Sequence, residues 1–472
     1  MGEEQAAPLC AGRGFELQEQ PEEFQAALFT VSLCDWQHNQ RQTERSFVMY
    51  KKFTLIAALL MVLAGTFFPA AAAAADGVTK ITYWHYLSGD NAEIHQKMVE
   101  EFNAAHPHIQ VEMLYTGNQF VARDKLLAAV AGDAPPAVAL VDQFWPPLMV
   151  STGALVPLRN FVDPDEYLQD YSQVSKDTVT VFGEAWTVPF SLSNQILLYN
   201  KDKFREAGLD PERPPATWDE LVEYAKALTR DVDGDGRIDE WGVNFTTRAN
   251  LGSMYNFVTF LWQAGGELYT EDYSEASFND EAALEAVQFW IDLAHEHQVL
   301  SLSPPPEGFE TGRIAMQYSS TSSIAATKNK VDFELGVAPL PKHKQQVTGV
   351  GGSSLAIFKT TPEQEAAAWE FVNWMASSEN NLKWSMKTGY IPLRNSVRES
   401  EAYQQYLADE PHMQVVLEQF DYARARPNTV SYADLSRILG VAVEEALYGS
   451  GNPQKILNNA VQEANVYIQT LD

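Results

Sequence analysis

Cysteine is almost missing: Cys10 and Cys34 are the only two in 472 residues, and both precede residue 49. Disulfides therefore cannot stabilise the chain beyond that point. Positive charge is short as well, with 33 basic against 63 acidic side chains and a formal net charge of -30. A surface of that sign repels phosphate backbones and anionic membranes, which disfavours nucleic-acid binding. No repeat, low-complexity tract, long linker or run of like charge interrupts the sequence, so the acidity reads as a solvated coat. Catalytic signatures are missing too: there is no GxSxG, no P-loop, no GxGxxG and no HExxH. His295 and His297 stand two apart on a helical pattern, point to different faces and read as solvated. The glycines of "GVGGSS" from Gly349 come without the lysine of a phosphate loop. They leave two readings, close backbone approach to a ligand or a flexible start to a strand.

What is present suits a large core: 45% hydrophobic and 11% aromatic residues imply a globular chain of two domains. The stretch "MYKKFTLIAALLMVLAGTFFPAAAAAADG" from Met49 has Lys51 and Lys52, then an apolar run from Phe53 to Phe68, then small residues. That is the order of a secretory signal peptide, with cleavage expected near Ala75. Residues 1–48 would be a leader upstream of the expected start at Met49, and 49–75 the signal peptide. The apolar run also approaches the length of a membrane anchor, but small residues crowd its end. No cysteine follows to accept a lipid, so a soluble exported protein, periplasmic or extracellular, is expected.

From Lys80 the pattern runs strand, helix, strand. "KITYWHY" is β-rich, Ile94, Met98 and Phe102 recur at helical spacing, Pro107 closes the helix, and "HIQVEMLYTG" alternates. A βαβ unit of parallel strands follows from this, with ligand-facing loops at the strand C-termini. "RDKLLAAVAG" reads as a second helix and "APPAVALVD" as another short strand. Capping boxes open two later helices, at Thr217 with Glu220 and at Thr361 with Gln364. "VDFELGVAPLP" and "SSLAIFK" read as strands between them. The expected division is a first part of the N-terminal lobe at 76–190, mainly the C-terminal lobe at 191–335, and strand crossings with C-terminal helices at 336–472. Trp290, Trp369 and Trp374 lie on helical patterns and read as core.

"DVDGDGRIDEWG" resembles a calcium loop. Asp231, Asp233 and Asp235 stand at positions 1, 3 and 5, Gly236 at 6, the carbonyl of Arg237 at 7 and Asp239 at 9. Position 12 is Gly242, which leaves coordination incomplete unless Glu240 or water completes it. Since a β-like segment follows the loop, the expected role is a structural Ca2+ clip and not a switch. No cofactor is expected for function itself.

"YWHYLSGD", "YTGNQF", "DAPPAVALVD", "PFSLSNQILLYNKDKFREAGLDPERPPATWDELVEYAKAL", "FETGRIAMQYSS", "VGGSSLAIF" and "KTGYIPLRNSV" together resemble the extracellular solute-binding proteins of ABC importers, in the group taking up sugars and glycerol 3-phosphate. The resemblance implies a periplasmic-binding-protein-like α/β fold, two lobes joined by a hinge, a ligand in the cleft between them, and delivery to a membrane permease. A non-catalytic monomer is expected. Carried over by position, the ligand contacts would be Tyr115, Asp142, Ser193, Ser320, Gly351, Gly352, Tyr390 and Arg426. A carbohydrate is the favoured ligand, with Trp84, Tyr86, Trp145, Tyr255 and Trp262 available as aromatic platforms. sn-Glycerol 3-phosphate is the alternative, held by Arg426 and the glycine backbone. From another class, a secreted carbohydrate-active hydrolase would share the same aromatics and acids.

Overall fold

The first strand of the computed structural model, β1 (Thr79–His85), buries Ile81, Tyr83 and His85 in alternation. The helix Gly89–Ala105 that follows buries His95, Met98, Val99 and Phe102. It returns the chain to β2 (Ile109–Tyr115), parallel to β1 from Thr79 opposite Ile109 to His85 opposite Tyr115. This is the βαβ unit that the periodicity implies. The second helix, Gln119–Ala131, begins ahead of "RDKLL" because the Asn118 side chain accepts the Val121 N–H and caps it. It leads to β3 (Val138–Asp142), buried throughout and parallel to β1. The structure describes residues 77–249 and 251–471; the expected leader, signal peptide and both cysteines lie outside the described residues.

A small hairpin, β4 (Thr180–Val181) and β5 (Glu184–Ala185), precedes the fourteen-residue β6 (Thr187–Asn200). Then come β7 (Trp241–Asn244), β8 (Ile314–Ser320), β9 (Leu335–Ala338), β10 (Thr348–Ile357) and β11 (Ala423–Arg424). The main sheet runs β2-β1-β3-β10-β6-β8-β7, with β9 added to β6 and β11 to β10. Two strands make this order possible. The first part of β6 pairs with β10 where β10 also pairs with β3, while its second part pairs with β8 and β9. β6 and β10 thus carry the chain between a βαβ lobe and a lobe built on β7, β8 and β9. The division expected after residue 190 falls inside β6, so the crossing is a continuous strand and not a linker. Opposite Ser353 and Ser354 of β10 the register skips Phe190 of β6, which marks the crossing with an extra residue on β6, and such a bulge bends the strand locally.

Strand alternation sorts the core onto the two faces of the sheet. Val138, Leu140, Ile196 and Leu198 belong to one cluster, and Ala139, Val141, Leu197 and Tyr199 to the other. Helix Trp218–Leu228 is capped by Thr217 Oγ1, which accepts the Glu220 N–H, while the Glu220 carboxylate accepts from Ala216, one residue further out. At helix Pro362–Met375 Thr361 accepts the Gln364 N–H, but Glu365 supplies the return bond to Thr360 and Gln364 reaches the Lys80 carbonyl. Trp290 is fully buried, and Trp369 and Trp374 pack on the core margin. His295 is exposed, as expected, and its ring also lies 2.7 Å from the Leu447 carbonyl, where it ties the helix end at Asp292–Glu296 to helix Tyr432–Tyr448.

Candidate functional site

The two long strands cross with Ser193 of β6 opposite Gly351 of β10, and the serine hydroxyl donates to the Gly351 carbonyl at 3.4 Å. Glycine is needed at position 352, where a Cβ would collide with the Ser191 carbonyl, whereas one on Gly351 would only come into contact with the Tyr255 ring. Tyr255, from helix Leu251–Gln263, donates to the carbonyls of Ser193 and Gly349 at 3.4 and 3.3 Å. From the other lobe come Tyr86, just after β1, Asp142 at the C-terminal end of β3, and Gln119 in the first turn of its helix. Strand C-termini deliver these groups, as in open α/β sheets generally. Tyr390 follows the left-handed Gly389 that ends helix Ser378–Thr388, and its ring stacks on Trp384. Together with Arg426 these residues line a cavity of about 190 Å³.

The polar centre of the cavity is a buried ion pair. Asp142 is 3% and Arg426 8% exposed, and Arg426 Nη2 lies 3.6 Å from Asp142 Oδ1. Gln119 Nε2 donates to Asp142 Oδ2 at 2.7 Å. The guanidinium sits over the rings of Phe144 and Tyr255, at 4.9 and 5.5 Å from their centroids, where the π faces attract it. Burial lifts the Asp142 carboxyl to about 6; Arg426 and the backbone N–H groups of Phe144 and Gln143 offset this only in part. Asp142 Oδ1 and Arg426 Nε have no hydrogen-bond partner among the described residues. A buried polar atom left so costs about 1–3 kcal/mol, which an incoming hydroxyl can recover.

The model of the bacterial extracellular solute-binding protein family matches residues 88–382. The chain belongs to that family. The sn-glycerol-3-phosphate-binding periplasmic protein UgpB of Escherichia coli strain K12 is 26% identical over 420 residues, 84% of this chain and 94% of that protein. Its counterpart in Pectobacterium atrosepticum is 25% identical over 421 residues, 85% of this chain and 94% of that protein. The crystal structure of the cyclic α-maltosyl-1,6-maltose binding protein of Arthrobacter globiformis superposes with a TM-score of 0.73 at 31% identity, covering 83% of this chain and 100% of that one. UgpB of Mycobacterium tuberculosis, in complex with glycerophosphocholine, shares the fold with a TM-score of 0.74 at 24% identity, covering 83% of this chain and 98% of that one.

Within this solute-binding fold, Asp142, Ser193, Gly351, Gly352, Tyr390 and Arg426 converge on the cavity. Tyr115 does not. It is 52% exposed at the end of β2, with its ring against His85, beside a different cavity. β2 lies at the sheet edge two strands from β3, and the chain reaches the cavity only at Gln119. Ser320 also stands outside the lining: it ends β8 opposite Gln195, with its hydroxyl 3.0 Å from that of Ser322. Gln119, Phe144 and Ser353 line the cavity without having been singled out from sequence, although Gln119 stands inside "YTGNQF". Of the aromatic platforms, Tyr86 and Tyr255 line it, whereas Trp262 is core.

In the acidic loop, Asp231, Asp233 and Asp239 each offer a carboxylate oxygen within 4.8 Å of the others. Asp235 lies outside that cluster of carboxylates, and its Oδ1 accepts the Arg237 N–H at 2.8 Å. Glu240 does not complete the set either; it pairs with Lys203 Nζ at 2.7 Å. Nor could a side chain stand at Gly242, since a Cβ there would meet the Ala225 backbone. Three carboxylates with water fit a hard cation that takes six to eight oxygens.

Proposed function

We propose that the protein is the extracytoplasmic receptor of an ABC importer, capturing a carbohydrate in the cavity at the β6–β10 crossing and delivering it to a membrane permease. The observation that carries this reading is the pair of unmatched buried atoms, the acceptor Asp142 Oδ1 and the donor Arg426 Nε, on residues that line a small aromatic-walled cavity. Adjacent sugar hydroxyls donate to one and accept from the other, while C–H faces lie on Tyr86, Tyr255 and Tyr390. Asp142 also argues against a phosphate ester in the same place. The Asp142–Arg426 pair is formally neutral, so the arginine's attraction for a phosphate is offset by the carboxylate's repulsion and little net attraction is left.

A receptor is favoured over a hydrolase because Asp142 is the only carboxylate among the described residues lining this cavity, whereas glycoside hydrolysis by the usual route needs two. We further propose export of the chain after signal-peptide cleavage near Ala75, action as a monomer, and a calcium clip at Asp231, Asp233 and Asp239. No helix among the described residues is long and apolar enough to cross a membrane.

Calorimetric titration of the wild type and Asp142→Asn with a panel of neutral sugars and with sn-glycerol 3-phosphate tests the ligand. The variant is expected to bind its sugar about 10–100-fold more weakly, having lost a charged acceptor. Tighter binding of glycerol 3-phosphate by Asp142→Asn, with no sugar bound by the wild type, would transfer the protein to the phosphate-ester reading.

A further inference from the structure

Two histidines and a glutamate meet at the far end of the βαβ lobe from the cavity. His106 closes helix Gly89–Ala105, and His108 follows two residues later, just ahead of β2. The cavity takes its groups from the C-terminal ends of β1 and β3, whereas this turn precedes a strand that runs parallel to them. Backbone bonds fix the turn. The Ile109 N–H donates to the His106 carbonyl at 2.9 Å across Pro107, and the Thr79 N–H donates to the His108 carbonyl at 2.9 Å. Glu370 faces the turn from helix Pro362–Met375. That helix is anchored by Phe371 and Trp374, whose rings meet Phe102 edge-on at 5.1 and 5.6 Å between centroids.

We infer that His106, His108 and Glu370 form a binding site for a divalent transition metal of the zinc kind. The two ring nitrogens of His106 can be told apart. Nδ1 lies 2.9 Å from the Phe102 carbonyl, which can only accept, so Nδ1 carries the proton and Nε2 of the neutral ring carries the lone pair. Metal-binding imidazoles are commonly oriented in this way, by a carbonyl on the far nitrogen. The lone pair faces Glu370 Oε1 at 3.8 Å. Two acceptors oppose each other there, too far apart to share a proton in an ordinary hydrogen bond, and a metal cation between them satisfies both. His108 Nε2 lies 3.1 Å from the same oxygen. Donors held at 2.0–2.2 Å by one tetrahedral ion stand about 3.4 Å apart, a value between these two separations. The histidine rings are further from each other, with 6.2 Å between centroids, so the last adjustment falls on His108, whose side chain is 58% exposed. Water supplies the remaining position. Imidazole nitrogens suit zinc, copper or nickel, whereas calcium and magnesium take oxygen, which separates this site from the acidic loop. A surface ion pair of His108 with Glu370 accounts for one contact and leaves the His106 lone pair without a partner. A bound ion ties the turn to a helix 262 residues away and stiffens the βαβ lobe without touching the cavity.

The experiment is calorimetric titration of the untagged, metal-stripped protein with zinc chloride in excess calcium, so that the acidic loop is not the reporter. The titration is repeated with cobalt, whose visible d–d bands report a tetrahedral site directly. The variants are His106→Phe, which keeps a ring stacked on Phe102, now 4.1 Å away between centroids, and His108→Ala, with Asp233→Asn as the control. The wild type is expected to take up one zinc ion per chain and to melt at a higher temperature with zinc than without it. Each histidine variant should weaken zinc by about tenfold or more and lose the cobalt bands, while Asp233→Asn leaves both readouts unchanged. His108→Ala keeps the test sound if His106→Phe folds poorly, since the His108 side chain is largely exposed. No zinc uptake by the wild type, uptake that survives unchanged in either folded histidine variant, or a loss in Asp233→Asn overturns the assignment. The carbohydrate reading of the cavity stands apart from all three results.

Discussion

Asp142→Asn, followed by chemical unfolding of the ligand-free protein from pH 4 to pH 8, examines the electrostatics of the cavity directly. In the folded protein the Asp142 carboxyl titrates at about 6, against 3.8 for the same group in an open chain. Between those values the folded state keeps a proton that the unfolded state has released. Stability therefore falls as pH rises through this window. The separation of roughly two units corresponds to about 3 kcal/mol at 1.36 kcal/mol per unit, complete once the pH passes about 7. The amide of the variant does not titrate, and the cost of leaving Arg426 without its partner is the same at every pH. The wild type should therefore lose about 2.4 kcal/mol relative to the variant between pH 4 and pH 7. A difference that stays flat would show that burial does not dominate at Asp142. One that changes in the opposite direction would show that Arg426 outweighs burial, and the argument from an under-satisfied carboxylate would fail. The same protonation bears on binding: if the sugar needs the ionised acceptor, its affinity should weaken below about pH 6.

Acid should act on the βαβ lobe through His95, which burial lowers to about 3 and whose ring lies 2.8 Å from the Tyr83 hydroxyl. The unfolded state binds its proton near 6.5, so stability is lost as pH falls from about 6.5 toward 3, by up to about 5 kcal/mol; His95→Phe should flatten this limb of an acid-unfolding curve. Gly352→Ala forces a Cβ against the Ser191 carbonyl and should cost about 1–3 kcal/mol in urea unfolding, with ligand affinity reduced as the crossing shifts. Calcium at a hundred times its dissociation constant should add about 2.7 kcal/mol to stability, read as a higher melting temperature that EGTA reverses. Asp233→Asn should abolish that gain, and an unchanged melting temperature in the wild type would remove the clip.

How far the sequence shows this arrangement depends on how local each cause is. β1 is legible because Ile81 and Tyr83 alternate with exposed residues, and helix Trp218–Leu228 because Thr217 caps it within one turn. β6 is buried at every position, so it shows an apolar run with no period to reveal its face or its partner. Its contact with β10, such as Ser191 Oγ to Ser353 Oγ at 2.7 Å, joins residues 162 apart, a pairing that no local pattern encodes. The exchange of Tyr115 for Gln119 has a similar origin. Position matching favours the aromatic residue of "YTGNQF", but Asn118 capping fixes where the helix starts, and so which residue of the motif reaches the cavity. Arg426 and Asp142 were legible only through the family resemblance, since neither their burial nor their meeting has a local signal.

The position of the site at the strand crossing gives binding a mechanical consequence. Asp142 ends β3 in the βαβ lobe, whereas Arg426 follows β11, which is paired with Thr348 and Gly349 of β10 on the other side of Gly351. Tyr86 and Gln119 stand with the first group, and Tyr255 with the second. A ligand that touches both groups at once gains contacts that exist only when they are close, and that difference is what shifts a hinge toward closure. β6 and β10 are continuous, hydrogen-bonded strands, so a change of angle has few places to be absorbed. The bulge at Phe190 of β6, opposite Ser353 and Ser354 and next to the Leu192–Gly352 pair, is the irregularity in the β6–β10 pairing that can absorb one. It follows that Gly352→Ala should slow or restrict closure even for a ligand that touches no part of residue 352, which distinguishes a hinge role from a purely local steric one.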